Sequence, residues 1–307
     1  MIIDTHQHTF WQKRDDRGLV ADMDEYGIDA AWLLSWDVVP EEDAASVHAG
    51  LNPEHRRPDG THPGIPLSDL IRTRDRYPDR FVIGYCPHPV KGNAPAYLEA
   101  AYHMHGVRIC GECKFRIPFD DPRSINLYHK AGELRMPVVL HLDVPFLPDP
   151  ATGRPVYQAS WYGGTVAHLE RALQACPETA FVGHAPGFWR EISGDADSAT
   201  DVYPSGPVTP GGRLESLLRE YGNLYADLSA GSALRALKRD VTYSKELLSR
   251  FSDRFLFARD YYGSELLDFF RELELDQDVS AAIMGGNARR LVPLEPEAIS
   301  PPLMTLA

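Results

Sequence analysis

The run Met1-Ile-Ile-Asp-Thr-His-Gln-His-Thr-Phe10 decides how the rest of the chain is read. Its apolar start leads into Asp4, His6 and His8 with the character of a β-strand, and residues two apart on a strand project to one face. Both imidazoles therefore point the same way. Two nitrogen donors on one rigid face near a strand end form half of a site for zinc or another first-row divalent cation. Surface strands also carry solvated histidines, so the remainder of the chain has to decide between the two readings.

Seven further apolar runs of strand length follow the first, at residues 28–36, 81–88, 106–115, 137–144, 180–187, 224–230 and 255–261. Between them lie stretches with apolar residues at helical spacing, at 67–76, 94–105, 125–135, 165–175, 214–221 and 234–251. Alternating strands and helices force parallel pairing, and eight such units are what a closed (β/α)8 barrel, a TIM barrel, requires. An open doubly wound sheet would carry a glycine-rich phosphate fingerprint after its first strand, and none follows here. The long irregular segments, 37–66, 145–164 and 188–212, all come after strands, whereas the returns into strands are short. Elaboration is thus predicted on one face, the one that carries active sites in such barrels. One α/β domain over 1–307 is expected, with no internal repeat.

Apolar residues make up 43% and charged residues 24% of 307, which excludes disorder and fibrous architectures. With 31 basic against 44 acidic residues the formal charge is −13, and no basic patch offsets it, so nucleic acid and anionic membranes are not expected partners. No apolar run reaches membrane-spanning length and no signal-peptide pattern is read, so a cytoplasmic enzyme acting on a small molecule is expected, with a homo-oligomer left open. Cys86, Cys110, Cys113 and Cys176 are too scattered for a disulfide framework. Cys110 and Cys113, three apart on a strand, are expected to face opposite sides and neither chelate nor pair.

Placed on the predicted strands, the unusual polar residues converge. His6 and His8 end the first, Glu112 and Lys114 lie near the end of the fourth, His141 ends the fifth, His184 the sixth and Asp260 the eighth. In a closed barrel these ends ring one mouth. Three imidazoles and a carboxylate suit Zn²⁺ with a position left for water.

With these residues the chain resembles the amidohydrolase superfamily, in particular the amidohydrolase-2 branch that contains aminocarboxymuconate-semialdehyde decarboxylase. The resemblance runs nearly end to end. It rests on Asp4-Thr-His-Gln-His8, His141 within Val139-Leu-His-Leu142, Gly183-His-Ala185, Leu256-Phe-Ala-Arg-Asp260 and Gly285-Gly-Asn-Ala-Arg-Arg-Leu291. It implies a metal held by His6, His8, His141 and Asp260, with His184 as the acid-base or carbonyl-polarising residue. Arg259 departs from the small residue usual before the strand-eight aspartate, and strand alternation turns it toward the helices or the rim.

Glu112 and Lys114 share a strand face. Relatives with two metals use a carboxylated lysine or a glutamate on this strand as a bridge, whereas a Glu112–Lys114 ion pair is the plain alternative. Because a buried carboxylate needs a cation, Glu112 is read as a further ligand and Lys114 as a substrate contact, with one metal ion expected. Arg116 and Arg190, near strand ends, are read with Lys114 as contacts to a small carboxylated or polar substrate. Asp227 on the seventh strand is read as an acceptor orienting a ligand or as a partner paired inside the barrel. His48, His55 and His62 are read as solvated loop residues, and Trp11, Trp161, Trp189, Tyr261 and Tyr262 as pocket aromatics or loop packing.

The expected activity is a metal-dependent hydrolase that uses a metal-activated water on an ester, lactone or amide, with Asp260 or His184 accepting the proton. A carboxy-lyase (decarboxylase) is the alternative within the same ligand set. A catalytically silent barrel would be expected to have lost part of that set.

Overall fold

Each of the eight apolar runs forms a parallel strand: β1 (Ile3–Gln7), β2 (Ala30–Leu33), β3 (Phe81–Ile83), β4 (Cys110–Cys113), β5 (Val138–His141), β6 (Phe181–His184), β7 (Leu224–Asp227) and β8 (Phe255–Leu256). The structure, a computed structural model, describes residues 1–294, so the last stretch of the expected domain, 295–307, lies outside the described residues. Parallel ladders run β1-β2-β3 and β4-β5-β6-β7-β8. The two arcs meet at both seams. Tyr85 N donates to Ile109 O at 2.9 Å beside a parallel bridge between Gly84 and Ile109, and Thr5 N donates to Phe257 O at 2.9 Å. The sheet thereby closes into the expected (β/α)8 barrel.

Strand alternation sorts each side chain to the barrel interior or to the helices. Val139, Val182, Trp32, Ile109 and Leu256 form a small cluster inside the barrel. Their sequence neighbours Val138, Leu140, Phe181 and Phe255 belong to a larger cluster shared with helix residues Leu127, Leu169 and Leu217. In β5 and β6 the inward parity continues from Val139 to His141 and from Val182 to His184, so each strand's last inward residue is a histidine at the mouth.

The helices are built from local signals that the sequence spells out. Pro122–Glu133 is typical: Asp121 accepts from Arg123 N, proline opens the helix, and Ser124, Leu127, Tyr128 and Ala131 form its buried stripe. Burying a large apolar side chain stabilises by about 1.5–3 kcal/mol, so one such stripe outweighs the helix's weak intrinsic tendency.

The C-terminal motif Gly285–Leu291 closes the barrel floor. Asn287 Nδ2 donates to Ser252 O at 2.7 Å and to Phe255 O at 2.8 Å, and Ala288 and Val292 join the interior cluster. Gly285 is required by contact: a Cβ there would stand 2.6 Å from Met1 O.

Three sequence expectations change. The long segments after strands two and five contain short hairpins, Trp36–Asp37 with Gly64–Ile65 and Phe146–Pro148 with Pro155–Tyr157, too brief for an apolar pattern to announce. His62 is buried with Nε2 donating to Asn52 O, while His48 and His55 pair with Asp43 and Asp69, so these loop histidines are packing elements rather than solvated ones. Cys110 and Cys113 do not face opposite sides. The β4–β5 register shifts between them, which adds the half-turn that strict alternation lacks, and their Sγ atoms lie 4.0 Å apart. Among the described residues no helix is long and apolar enough to cross a membrane.

Candidate metal centre

Six side chains from five strand ends meet at the mouth: His6 and His8 from β1 and the residues after it, Glu112 from β4, His141 from β5, His184 from β6, and Asp260 beyond β8. The four histidines and Glu112 are buried, and the Asp260 side chain keeps 19% of its surface open to the mouth.

For His6, His8 and His184, hydrogen bonds fix which ring nitrogen faces the centre. His8 Nδ1 lies 2.7 Å from Leu34 O, which can only accept, so Nδ1 carries the proton and Nε2 keeps its lone pair. His6 Nδ1 lies 2.7 Å from Asp227 Oδ2 and His184 Nδ1 lies 3.0 Å from Asp227 Oδ1, so one carboxylate orients two rings. Ser229 Oγ donates to Asp227 Oδ1 at 2.6 Å and stands 2.6 Å from His184 Nδ1. Trp189 Nε1 donates to Asp227 O at 3.0 Å and holds the same strand end. Asp227 therefore takes the first of the two roles the sequence held open for it, orienting rings of the site, whereas nothing in the sequence pointed to Ser229.

Glu112 stands at the middle. Its Oε1 lies 2.6 Å from His141 Nδ1 and 3.8 Å from both His184 Nε2 and His6 Nε2, whereas its Oε2 lies 3.5 Å from His8 Nε2. Asp260 Oδ1 lies 3.5 Å from His8 Nε2 and 4.0 Å from His6 Nε2, and its Oδ2 lies 3.6 Å from His184 Nε2. The Glu112–Lys114 ion pair held open by the sequence is replaced by the hydrogen bond from His141. His141 in turn places Nε2 2.9 Å from Asp143 Oδ2, a partner the sequence reading did not name.

The charges of the ring act strongly on one another. His6 has its pKa raised to about 9: burial opposes the cation, and Asp227, Asp260 and Glu112 outweigh it. His141 is also raised, with burial and Lys114 opposing and Glu112 and Asp143 prevailing. His184 is lowered, chiefly by burial with His6 and His141 adding repulsion, despite Asp227. Glu112 is held well below the usual carboxylate range, burial notwithstanding, by Lys114 and His141.

The donor set fits a divalent cation. His6 Nε2 and Asp260 Oδ1 are buried without a hydrogen-bond partner, at a place where burying an unsatisfied polar atom is costly. Donors in a tetrahedral shell at about 2.0–2.2 Å from a metal are separated by roughly 3.3–3.6 Å; the His8–Glu112, His8–Asp260 and His184–Asp260 distances of 3.5, 3.5 and 3.6 Å match that spacing, and the remaining imidazole–carboxylate distances of 3.8–4.0 Å are slightly wider. Three overlapping triplets, His6, His8, Glu112; His6, His184, Asp260; and Glu112, His141, His184, each have donor atoms within 4.8 Å of one another. Such a ring offers donors for one ion, as the sequence reading expected, or for two.

Around the ring, Lys114 Nζ lies 4.6 Å from the Trp36 ring centroid and 5.3 Å from that of Tyr162, with the Arg116 guanidinium 5.9 Å from the latter. Lys114 stays cationic: burial opposes the charge, and Glu112 with Tyr162, Asp260 and Asp143 outweigh it. Arg190 does not join them. Its buried guanidinium donates to Ala196 O and Ala199 O and braces the loop after β6, so its expected substrate contact is replaced by a loop-holding role. Trp11, Tyr261 and Tyr262 line a cavity of about 290 Å³ beside Asp260, whereas Trp161 Nε1 donates to Tyr157 Oη within the strand-five hairpin loop.

Arg259 turns away from Asp260 as alternation requires. Its Nε donates to Asp4 Oδ2 at 2.7 Å, its backbone N donates to Asp4 Oδ1 at 2.9 Å, and Nη1 lies 2.7 Å from Asp22 Oδ2 on the helix α1 (Asp16–Glu25). Asp260 N donates to His6 O at 2.8 Å. The two ligand-bearing strand ends are thereby clamped together.

Known proteins share this architecture. The structure is similar to 5-carboxyvanillate decarboxylase from Sphingomonas paucimobilis, at 17% identity and TM-score 0.60 over 94% of this chain and 98% of that one. It is similar to a dihydroxybenzoic acid decarboxylase from Polaromonas with bound manganese and 2-nitroresorcinol, at 18% identity and TM-score 0.56 over 94% of this chain and 96% of that one. A protein assigned as a 2-pyrone-4,6-dicarboxylic acid hydrolase from Pseudomonas putida matches at 14% identity and TM-score 0.58, over 96% of this chain and 98% of that one. No curated protein matches the sequence. The amidohydrolase family model matches residues 3–294, and with that match over nearly its whole length the chain belongs to the amidohydrolase family.

Proposed function

We propose that this chain is a metal-dependent hydrolase of an ester, lactone or amide bond in a small carboxylated substrate. The observation that carries the reading is Glu112, whose two oxygens face different imidazoles while Asp260 stands open to the mouth. His6, His8 and Asp260 would hold one divalent ion, His141 and His184 a second, and Glu112 would contact both. Zinc or manganese suits the mixed nitrogen and oxygen donors. When bound, such ions acidify water and polarise a carbonyl oxygen. Asp260 accepts the proton released as water attacks the carbonyl carbon and delivers it to the leaving group. Lys114 and Arg116, on either side of Tyr162, hold the substrate's carboxylate by charge and orient the scissile bond. This assigns His184 to the metal shell, in place of the acid-base role that the resemblance implies.

A carboxy-lyase is the second reading. Lys114 between the Trp36 and Tyr162 rings favours an unsaturated or aromatic carboxylate, and decarboxylases are among the similar structures.

Metal analysis of purified protein, with hydrolysis and carbon dioxide release scored over lactones, small amides and aromatic acids, tests both. About two ions per chain, falling to about one in His184→Asn, and hydrolysis without gas release are expected. One ion retained by His184→Asn with activity down ~10²- to 10⁴-fold returns His184 to acid-base duty. Carbon dioxide as the product overturns the hydrolase.

A further inference from the structure

Cys86, Cys110 and Cys113 form a cluster that the proposed chemistry does not use. Cys86 follows β3, Cys110 and Cys113 bound β4, and all three are fully buried in the packing between barrel wall and helices. The Sγ separations are 2.7 Å for Cys86 and Cys113, 3.7 Å for Cys86 and Cys110, and 4.0 Å for Cys110 and Cys113. The fourth thiol, Cys176, lies beside His129 instead.

Two chemistries use thiols gathered in this way, a soft metal ion and a disulfide. Three thiolates around a divalent cation leave a net charge of −1, and around a monovalent one −2, and an apolar interior penalises either. A disulfide is neutral and carries no such penalty. The geometry also suits it: β3 and β4 are adjacent, bridged at Gly84 and Ile109, and the Cys86 and Cys113 sulfurs, one from each strand end, stand 2.7 Å apart, the shortest separation in the cluster.

We propose that Cys86 and Cys113 are a redox cross-linking site, closed by a peroxide and reopened by thiols. One thiolate attacks peroxide, the O–O bond breaks, and a sulfenic acid and water form. The second sulfur then displaces water from the sulfenic sulfur, so the two thiols together lose two protons and two electrons and the peroxide becomes two waters. Burial makes the step slow, since it waits on local opening of the strand ends. The bond joins the ends of β3 and β4 at the residue next to Glu112, so it locks the wall that carries the central carboxylate.

The test needs no substrate and is therefore independent of the proposed activity. Reduced full-length protein is exposed to hydrogen peroxide, unfolded, and its thiols counted and mapped by non-reducing peptide mass spectrometry. The sequence has four cysteines, so the titre should fall from four to two, with a Cys86–Cys113 peptide that a reductant dissolves. Cys110→Ala should still form the link, and Cys176→Ser should form it unchanged. A titre that stays at four, a link through Cys110 or Cys176, or sulfinic acid without a link overturns the proposal. So does zinc that protects all three thiols from alkylation in the His6→Ala, His8→Ala protein, an outcome that assigns the cluster to a metal.

Discussion

At Asp227 one carboxylate meets two imidazoles, and its pKa is lowered despite full burial because His184 and His6 favour its charged form. Both rings owe their orientation to it, so Asp227→Asn should leave the barrel folded while metal affinity drops by about 10- to 100-fold, as for other partners of metal-bound histidines. Metal titration alongside thermal unfolding checks this, and unchanged affinity removes the orienting role. In the sequence Asp227 is legible as a strand-end acceptor that orients a ligand or pairs inside the barrel. That its two oxygens serve two different strands depends on β6, β7 and β1 meeting at the mouth, and linear spacing does not encode that. Arg190 shows the same limit from the other side: a cation near a strand end looks like a substrate contact until loop carbonyls at Ala196 and Ala199 take it up.

At the scale of elements, the Asp4–Arg259–Asp22 clamp ties β1, the turn after β8 and α1 into one unit around Asp260, whose φ of +52° is held in the left-handed region by these contacts and the bond to His6 O. Arg259→Met should lower stability by about 3–5 kcal/mol, because it leaves two buried carboxylates without their cation. Denaturant unfolding measures the loss. Arg259→Lys should recover part of it, since lysine keeps the charge but not the guanidinium fork, and if the two variants unfold alike the clamp is not electrostatic. Strand alternation sufficed to turn Arg259 outward. What it turned toward required the position of α1 against the barrel.

At the scale of the molecule, the two ends of the barrel do different work. The floor is closed by Asn287, and Asn287→Ala should destabilise by about 1–3 kcal/mol by leaving the buried carbonyl of Phe255 and the half-buried one of Ser252 unpaired, yet leave metal affinity unchanged. Chelation should do the reverse: activity is lost while the apolar wall keeps the barrel folded, and the unfolding free energy falls only by the binding energy removed, about 2.7 kcal/mol at a hundredfold excess over Kd. Apo protein that unfolds cooperatively with metal loss contradicts that separation. The sequence by itself determined the eight strands, the mouth they share and the residues at their ends, because period-two patterning and strand–helix alternation are local and survive in one dimension. Only the tertiary structure decided that Glu112 hydrogen-bonds to His141, that Asp227 meets the rings of both His6 and His184, and that three cysteines share one face of the wall. Each of those turns on a register shift or a cross-strand distance, which long-range pairing sets and no neighbour in sequence records.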